Sequence, residues 1–476
     1  MAPGTARSLY LHIPFCDTRC PYCDFAIHIG GEQLRQPYVE ALIREVDHLT
    51  AAGQPPGGLE TIYLGGGTPG LLEPALLGRI LAAVAQRFGI APGAEITLEA
   101  NPTGLTEARC RSWRGLGINR LSLGVQSLDD ATLHWLGRNH DGKTAERALR
   151  AAVDAGLENL SCDLIYAVPT QPTAVFATGL ERLLSFSPSH ISCYELTVEP
   201  GTPLARWVAQ GRVSAPTEPE FIEQHRLARD RLQAAGLRQY EVSNYARPGH
   251  ESRHNLTYWL GRNYLAAGCG AHGFVGLQAA RALGLAVDSD RVAVRYWNFR
   301  SAATYIKEVA RRGHGRRGHE GIDQQQAEME RVACGLRLRA GVELRLSHQL
   351  TVAGRLAQLG LLTIEGRRAV ATARGVEVLD RLTLELVAAK PGVAEVEGAA
   401  QRRRVPVAAA APAGPPSPGG RKVKPERVRQ EHSEHIAGQG GYGPHRQHLR
   451  PSEPESLTGD RGLQHSHRRQ ADSRQQ

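Results

Sequence analysis

The chain reads as an α/β protein built on a parallel sheet, and two observations predict it. Short apolar, β-branched runs recur through its first half with helix-length amphipathic segments between them. Such alternation folds as parallel strands joined by crossover helices. A cysteine cluster and a glycine-rich run each follow one of these strands directly, and the loops after strand ends are where α/β barrels gather ligands. At 476 residues the chain is long enough for one large barrel with an appendage, or for two or three domains.

The strand-like runs are 9–13, 61–64, 95–99, 119–125, 159–165, 190–196 and 238–242. Between them, segments such as 38–49, 73–88, 145–155 and 218–235 place apolar residues at helical spacing. The first domain is therefore expected over 1–285. From about 285 to 320 the pattern loosens, and Arg311-Arg312-Gly313-His314-Gly315-Arg316-Arg317-Gly318 reads as an exposed basic loop at a boundary.

A second domain is expected over 286–389. It has a helix holding Val332 and Leu336, another holding Leu356 and Leu359, a hairpin turning at Glu365-Gly366-Arg367, and a last helix over 377–386. That order resembles a winged helix. Such modules serve for docking as well as for DNA, and no nucleic-acid partner is expected. Residues 390–476, rich in Pro, Gly, Ala, Gln, His and Arg with few groups to bury, read as a disordered tail.

A net charge of +9 would ordinarily direct attention to anionic partners, but residues 390–476 hold 15 Lys/Arg against 9 Asp/Glu, or +6 of it. The first residues carry no apolar stretch suited to a signal peptide or a membrane span, so a cytoplasmic protein is expected. Five of the eight cysteines are scattered singly and three crowd into eight residues, which is no secreted disulfide framework.

Those three, Cys16-Asp-Thr-Arg-Cys20-Pro-Tyr-Cys23, lie just beyond the first strand. Three thiolates in one loop suit three corners of a [4Fe-4S] cube with the fourth iron open to an outside ligand. On spacing alone a structural zinc completed by His12 or His28 competes. The flanking sequence separates the two: Tyr10-Leu-His-Ile-Pro-Phe-Cys16 and Cys20-Pro-Tyr-Cys23-Asp-Phe resemble the signature of the radical S-adenosylmethionine (SAM) superfamily, in its coproporphyrinogen-dehydrogenase-like branch.

The resemblance implies a partial (β/α)6 barrel in which Cys16, Cys20 and Cys23 hold the cluster and its open iron chelates SAM. Gly65-Gly66-Gly67-Thr68-Pro69 is weak evidence by itself, yet beside the cysteines it resembles the motif whose bare backbone meets SAM. Glu99, Gln126, Arg138 and Asp163 fall at strand ends in the expected order. With Tyr10, Tyr22, Gly66, Gly67 and Thr68 they make up the SAM set that the resemblance implies. An acid and an amide suit ribose and ammonium, an arginine suits the carboxylate, and Tyr22 suits adenine.

Two families within the branch compete. The oxygen-independent coproporphyrinogen III oxidases carry a fourth cysteine shortly after the third and an N-terminal extension before the cluster, whereas here Cys23 leads into Asp24-Phe25-Ala26 and fifteen residues precede Cys16. The heme chaperones of the HemW type carry an H-N-x-x-Tyr-Trp motif, matched by His254-Asn255-Leu-Thr-Tyr258-Trp259.

Histidine is a common axial ligand of heme iron, and aromatic rings pack on porphyrin faces. The resemblance, over 7–389, thus implies heme as a third cofactor, met by His254, Asn255, Tyr258 and Trp259. It further implies delivery to apo-hemoproteins such as respiratory enzymes and an electron donor for the cluster. It leaves room for a homodimer and for peripheral contact with a membrane.

Overall fold

Each of the six leading runs alternates a large apolar residue with a polar or tyrosine side chain, and an extended strand sends the two sets to opposite faces. In the computed structural model, which describes residues 5–215 and 217–388, these runs are β1 (Ser8–Ile13), β2 (Leu59–Gly66), β3 (Ile90–Ala100), β4 (Arg120–Gln126), β5 (Asn159–Tyr166) and β6 (His190–Glu195). They are hydrogen-bonded in that order and all parallel, with Leu9 opposite Ile62, Ile62 opposite Ile96, and Leu121 opposite Leu160.

The apolar face, with Leu11, Ile62, Leu98, Leu121 and Leu160, is buried under α1 (Glu32–Leu49), α2 (Pro74–Phe88), α3 (Glu107–Gly115), α4 (Gly142–Asp154) and α5 (Thr173–Leu184). Burying a Leu or Ile side chain stabilises by roughly 1.5–3 kcal/mol, so a one-residue slip of any strand would turn this whole set toward the lumen. The opposite face carries Tyr10, Tyr63, Glu99, Ser122, Asp163 and Ser192, one from each strand, and all six line one pocket. The sheet therefore curves into a partial (β/α)6 barrel with a polar interior.

It stays open. β9 (Leu265–Ala267) adds parallel to β1 at one edge, while β7 (Arg238–Gln239) and β8 (Asn244–Ala246) add antiparallel beyond β6 at the other, after α6 (Glu218–Ala234). The run 238–242 thus supplies a two-residue edge strand instead of a seventh parallel one. The cause is the buried Glu241, whose carboxylate accepts from Ser243 N and Asn244 Nδ2 and holds the chain in a tight reversal. The short helix α7 (Arg253–Trp259) follows.

Residues 286–322 do not go with the C-terminal module expected to begin there. β10 (His272–Gly276), β11 (Ala293–Asn298) and β12 (Arg316–Ile322) form an antiparallel sheet, and α8 (Ala302–Arg312) lies between the last two in sequence. Val294, Tyr296, Tyr305 and Val309 enter the barrel's own core. The buried Glu45 of α1 fixes them there, accepting from Gly268 N, Asn298 Nδ2, Tyr305 Oη and Gly315 N. The basic stretch read as a loop is the end of α8 and the start of β12.

A separate core begins after Asp323, which caps α9 (Gln324–Arg337) by accepting from Gln326 N. β13 (Val342–Glu343), α10 (Ser347–Gln358), the hairpin β14 (Leu362–Glu365) and β15 (Arg368–Ala371), and α11 (Leu379–Ala388) complete it around Val332, Leu336, Leu356 and Leu382. Arg295 of β11 ties the two cores, pairing with Glu320 at 2.7 Å and with Glu330 of α9 at 2.8 Å. The tail over 390–476 lies outside the described residues. No helix among the described residues is long and apolar enough to cross a membrane.

Candidate functional site

The cysteine loop leaves β1 at Pro14 and returns to it. Phe15–Cys16 pairs with His28–Ile29, Gly30 N donates to Cys16 O at 3.1 Å, and Cys23 N donates to Cys20 O at 3.2 Å. Cys16, Cys20 and Cys23 are free thiols that line the pocket together. Burial pushes the Cys16 thiol up to about 11 and the Cys23 thiol up to about 12, and the neighbouring cysteines push the same way. Thiols raised in this way hold their protons until a cation compensates them; iron does this, since a coordinating thiol is deprotonated outright. Among the described residues no three His, Cys, Asp or Glu side chains converge as ligands of a single ion would. The donor set fits an iron-sulfur cube with three protein corners.

The glycine run is laid against this loop. A Cβ on Gly67 would stand 2.5 Å from Pro14 O and 2.8 Å from Phe15 O, and one on Gly66, at φ 117°, would strike the His12 ring at 2.5 Å. Gly67 N and Thr68 N donate to Ile13 O and Phe15 O, both at 2.8 Å. The missing side chains thus let one backbone lie on another, which brings Thr68 Oγ1 to 3.7 Å from Cys16 Sγ.

Below the loop, Glu99 accepts from Tyr63 Oη at 2.7 Å and from Gly66 N at 3.0 Å. Burial, with Asp163 adding to it, raises the Glu99 carboxyl to about 7. Burial likewise raises Asp163, whose oxygen accepts from Ser122 Oγ at 3.2 Å. Arg138 spans loop and barrel, donating to Asn101 Oδ1 at 2.6 Å and Gly124 O at 3.0 Å, with Cys20 Sγ at 3.5 Å. Gln126 ends β4 in the left-handed region at φ 62°, an uncommon conformation for a residue with a side chain, next to a register shift against β5.

Tyr10, Tyr22, Gly66, Gly67, Thr68, Glu99, Gln126, Arg138 and Asp163 all line the same pocket as the three cysteines. Of His254, Asn255, Tyr258 and Trp259, only Asn255 does. His254 is fully buried, with Nδ1 2.7 Å from Thr61 Oγ1 and Nε2 2.8 Å from Tyr258 Oη. Burial lowers it to about 3, so the imidazole is neutral. Trp259 faces away from the pocket toward α9, with the Arg337 guanidinium 4.5 Å from its ring centre.

Tyr63, Asn101, Arg120, Ser122, Ser192 and Tyr194, none of them expected from the sequence, also line the pocket. Arg120 is 2% exposed, and among the described residues its Nε has no hydrogen-bond partner. The signal for most of them was the alternation within each strand, in which every second residue is polar or tyrosine.

Residues 10–176 match the family model of the radical SAM superfamily. Over 391 residues the chain is 35% identical to the heme chaperone HemW of Mycobacterium tuberculosis, covering 81% of this chain and 96% of that one. It is 41% identical over 272 residues to the heme chaperone HemW of Synechocystis, covering 56% and 65%. It is 35% identical over 407 residues to the mitochondrial radical S-adenosyl methionine domain-containing protein 1 of Bos taurus, covering 81% and 88%. Among solved structures, the coproporphyrinogen III oxidase HemN of Escherichia coli aligns with a TM-score of 0.67 at 21% identity, covering 81% of this chain and 91% of that one, a likeness of fold.

Proposed function

The chain belongs to the heme chaperone HemW family within the radical SAM superfamily, and from that we propose that it binds heme and hands it to apo-hemoproteins, respiratory enzymes among them. The observation that carries the radical SAM half is the gathering of three cysteines and nine further expected residues around one pocket. Family membership carries the heme half.

Cys16, Cys20 and Cys23 would hold a [4Fe-4S] cluster, a set of three protein ligands that would leave one iron for SAM. When bound, the pair supplies one-electron reduction of a sulfonium. The rest falls to this chain. Gly66, Gly67 and Thr68 present backbone and hydroxyl to the methionine portion, and Arg138 neutralises the carboxylate from beside Cys20. Glu99 and Asp163 accept the ribose hydroxyls, Gln126 adds an amide, Tyr10 closes the wall next to Glu99, and Tyr22 covers adenine. Heme is met along α7, where Asn255 faces the pocket; ligation by His254 requires its bond to Tyr258 to open. An electron donor for the cluster is part of this reading.

The experiment that tests it is anaerobic incubation of the reconstituted protein with coproporphyrinogen III, SAM and a reductant. Recovery of the porphyrinogen unchanged, with heme bound by the same preparation, is expected. Robust formation of protoporphyrinogen IX overturns the chaperone reading in favour of the oxidase.

A further inference from the structure

We infer that Asn255, expected from its motif to meet heme, also meets SAM from the wall of the pocket it lines, and that Arg337, the last residue of α9 and no part of the pocket, is a positioning residue for that contact: through Trp259 and Glu241 it fixes α7. The inference rests on the reading of that pocket as the SAM site.

α7 has only seven residues and is held at both ends. At its start Ser252 Oγ accepts from Asn255 N at 3.3 Å, and the buried carboxylate of Glu95 on β3 accepts from the backbone N–H groups of Arg253 and His254, each at 3.0 Å. The bond of His254 to Thr61 of β2 resists rotation of the helix about its axis.

The far end is fixed from the second core. The Arg337 guanidinium lies 4.5 Å from the centre of the Trp259 ring and donates through Nη2 to Glu241 Oε2 at 3.1 Å. Glu241 has a fully buried side chain, and Ser243 N and Asn244 Nδ2 hold its other oxygen. The end of α9 is stitched to the same spot, since Arg339 N donates to Tyr240 O at 3.0 Å and Cys334 and Leu338 pack with Trp259.

A planar cation that stacks on a ring and pairs with a buried carboxylate is fixed in two directions at once, which an apolar residue packed on Trp259 would not be. A helix rises about 1.5 Å per residue, so Asn255 stands only about 6 Å from Trp259 along a rigid rod, and a displacement at one end is felt at the other.

The test is equilibrium SAM binding by the full-length, anaerobically reconstituted protein, comparing wild type, Asn255→Ala, Arg337→Met and the double variant. Each single variant is expected to weaken SAM roughly fivefold, the size of one lost hydrogen bond. Because both act through one contact, the double variant is expected to bind no more weakly than either single one, with iron content and circular dichroism unchanged. Arg337→Lys, which keeps the charge without the planar stack, should fall between.

Unaltered SAM affinity in Arg337→Met, multiplication of the two effects in the double variant, or no loss in Asn255→Ala each overturns the inference. If Arg337→Met does not fold, Arg337→Lys and the charge-free pair E241Q/R337M give the same comparison. A wild type that binds the cluster but no SAM overturns the reading of the pocket itself, a result distinct from the others.

Discussion

Glu99 shows at the scale of one residue how the pocket trades stability for binding. Its carboxyl, raised to about 7 by burial, retains protons that an unfolded carboxyl releases near 4.5. A group raised in this way favours folding less as pH climbs from 4.5 to 7, and the loss is complete above 7. Glu99→Gln keeps an acceptor for Tyr63 and Gly66 without the buried charge. The cofactor-free variant is therefore expected to be more stable than wild type at pH 8, by roughly 3 kcal/mol as an upper figure, with the gap closing below pH 4.5. Thermal melts across pH check this, and equal melts at pH 8 would contradict it. The same variant is expected to bind SAM more weakly. His254 supplies a second case: Tyr258→Phe frees Nε2, and heme binding is expected to tighten by roughly fivefold, the worth of one hydrogen bond. Unchanged or weaker heme binding in that variant would argue against ligation by His254.

Among the elements, the contact between glycine run and cysteine loop decides whether a cluster can form. Gly67→Ala would press a Cβ on two backbone oxygens that cannot rotate away, and the loop carrying Cys16 must shift to admit it. Iron retained after anaerobic reconstitution is expected to fall well below four atoms per chain, and full retention would show that the approach is not needed. The glycines were legible in the sequence, but their reason was not: spacing suggested bare backbone for a ligand, whereas the nearest partners of Gly67 are Pro14 and Phe15. The six parallel strands were legible because each run alternates cleanly. The antiparallel edge at β7 and β8 was not, because a buried Glu241 that reverses the chain looks, in sequence, like any charged residue. The motif at His254 marked a real element, yet three of its four expected residues do not line the pocket, His254 packing behind Tyr10 and Tyr63, since the register of a seven-residue helix is set by Glu95 and Arg337, far off in sequence.

Across the whole molecule, the divide between the two cores falls near Asp323, not near 286. The difference traces to Glu45, whose four donors come from segments more than 200 residues away, and no local pattern announces such a partner. The cores are joined by buried ion pairs at Arg295 and Arg337 and by the two-point contact of Arg226 with Glu377. One cooperative unfolding transition is therefore expected in calorimetry. Removing one partner of a buried pair costs about 3–5 kcal/mol, so Arg295→Met should lower the transition or split it in two. A wild-type profile for that variant would mean that the pairs do not couple the cores. Transfer of heme is tested most directly by following heme absorption anaerobically when the heme-loaded, cluster-bearing protein meets an excess of an apo-hemoprotein. The predicted result is heme leaving this chain and appearing in the acceptor; heme that never binds, or that binds and stays, would contradict it.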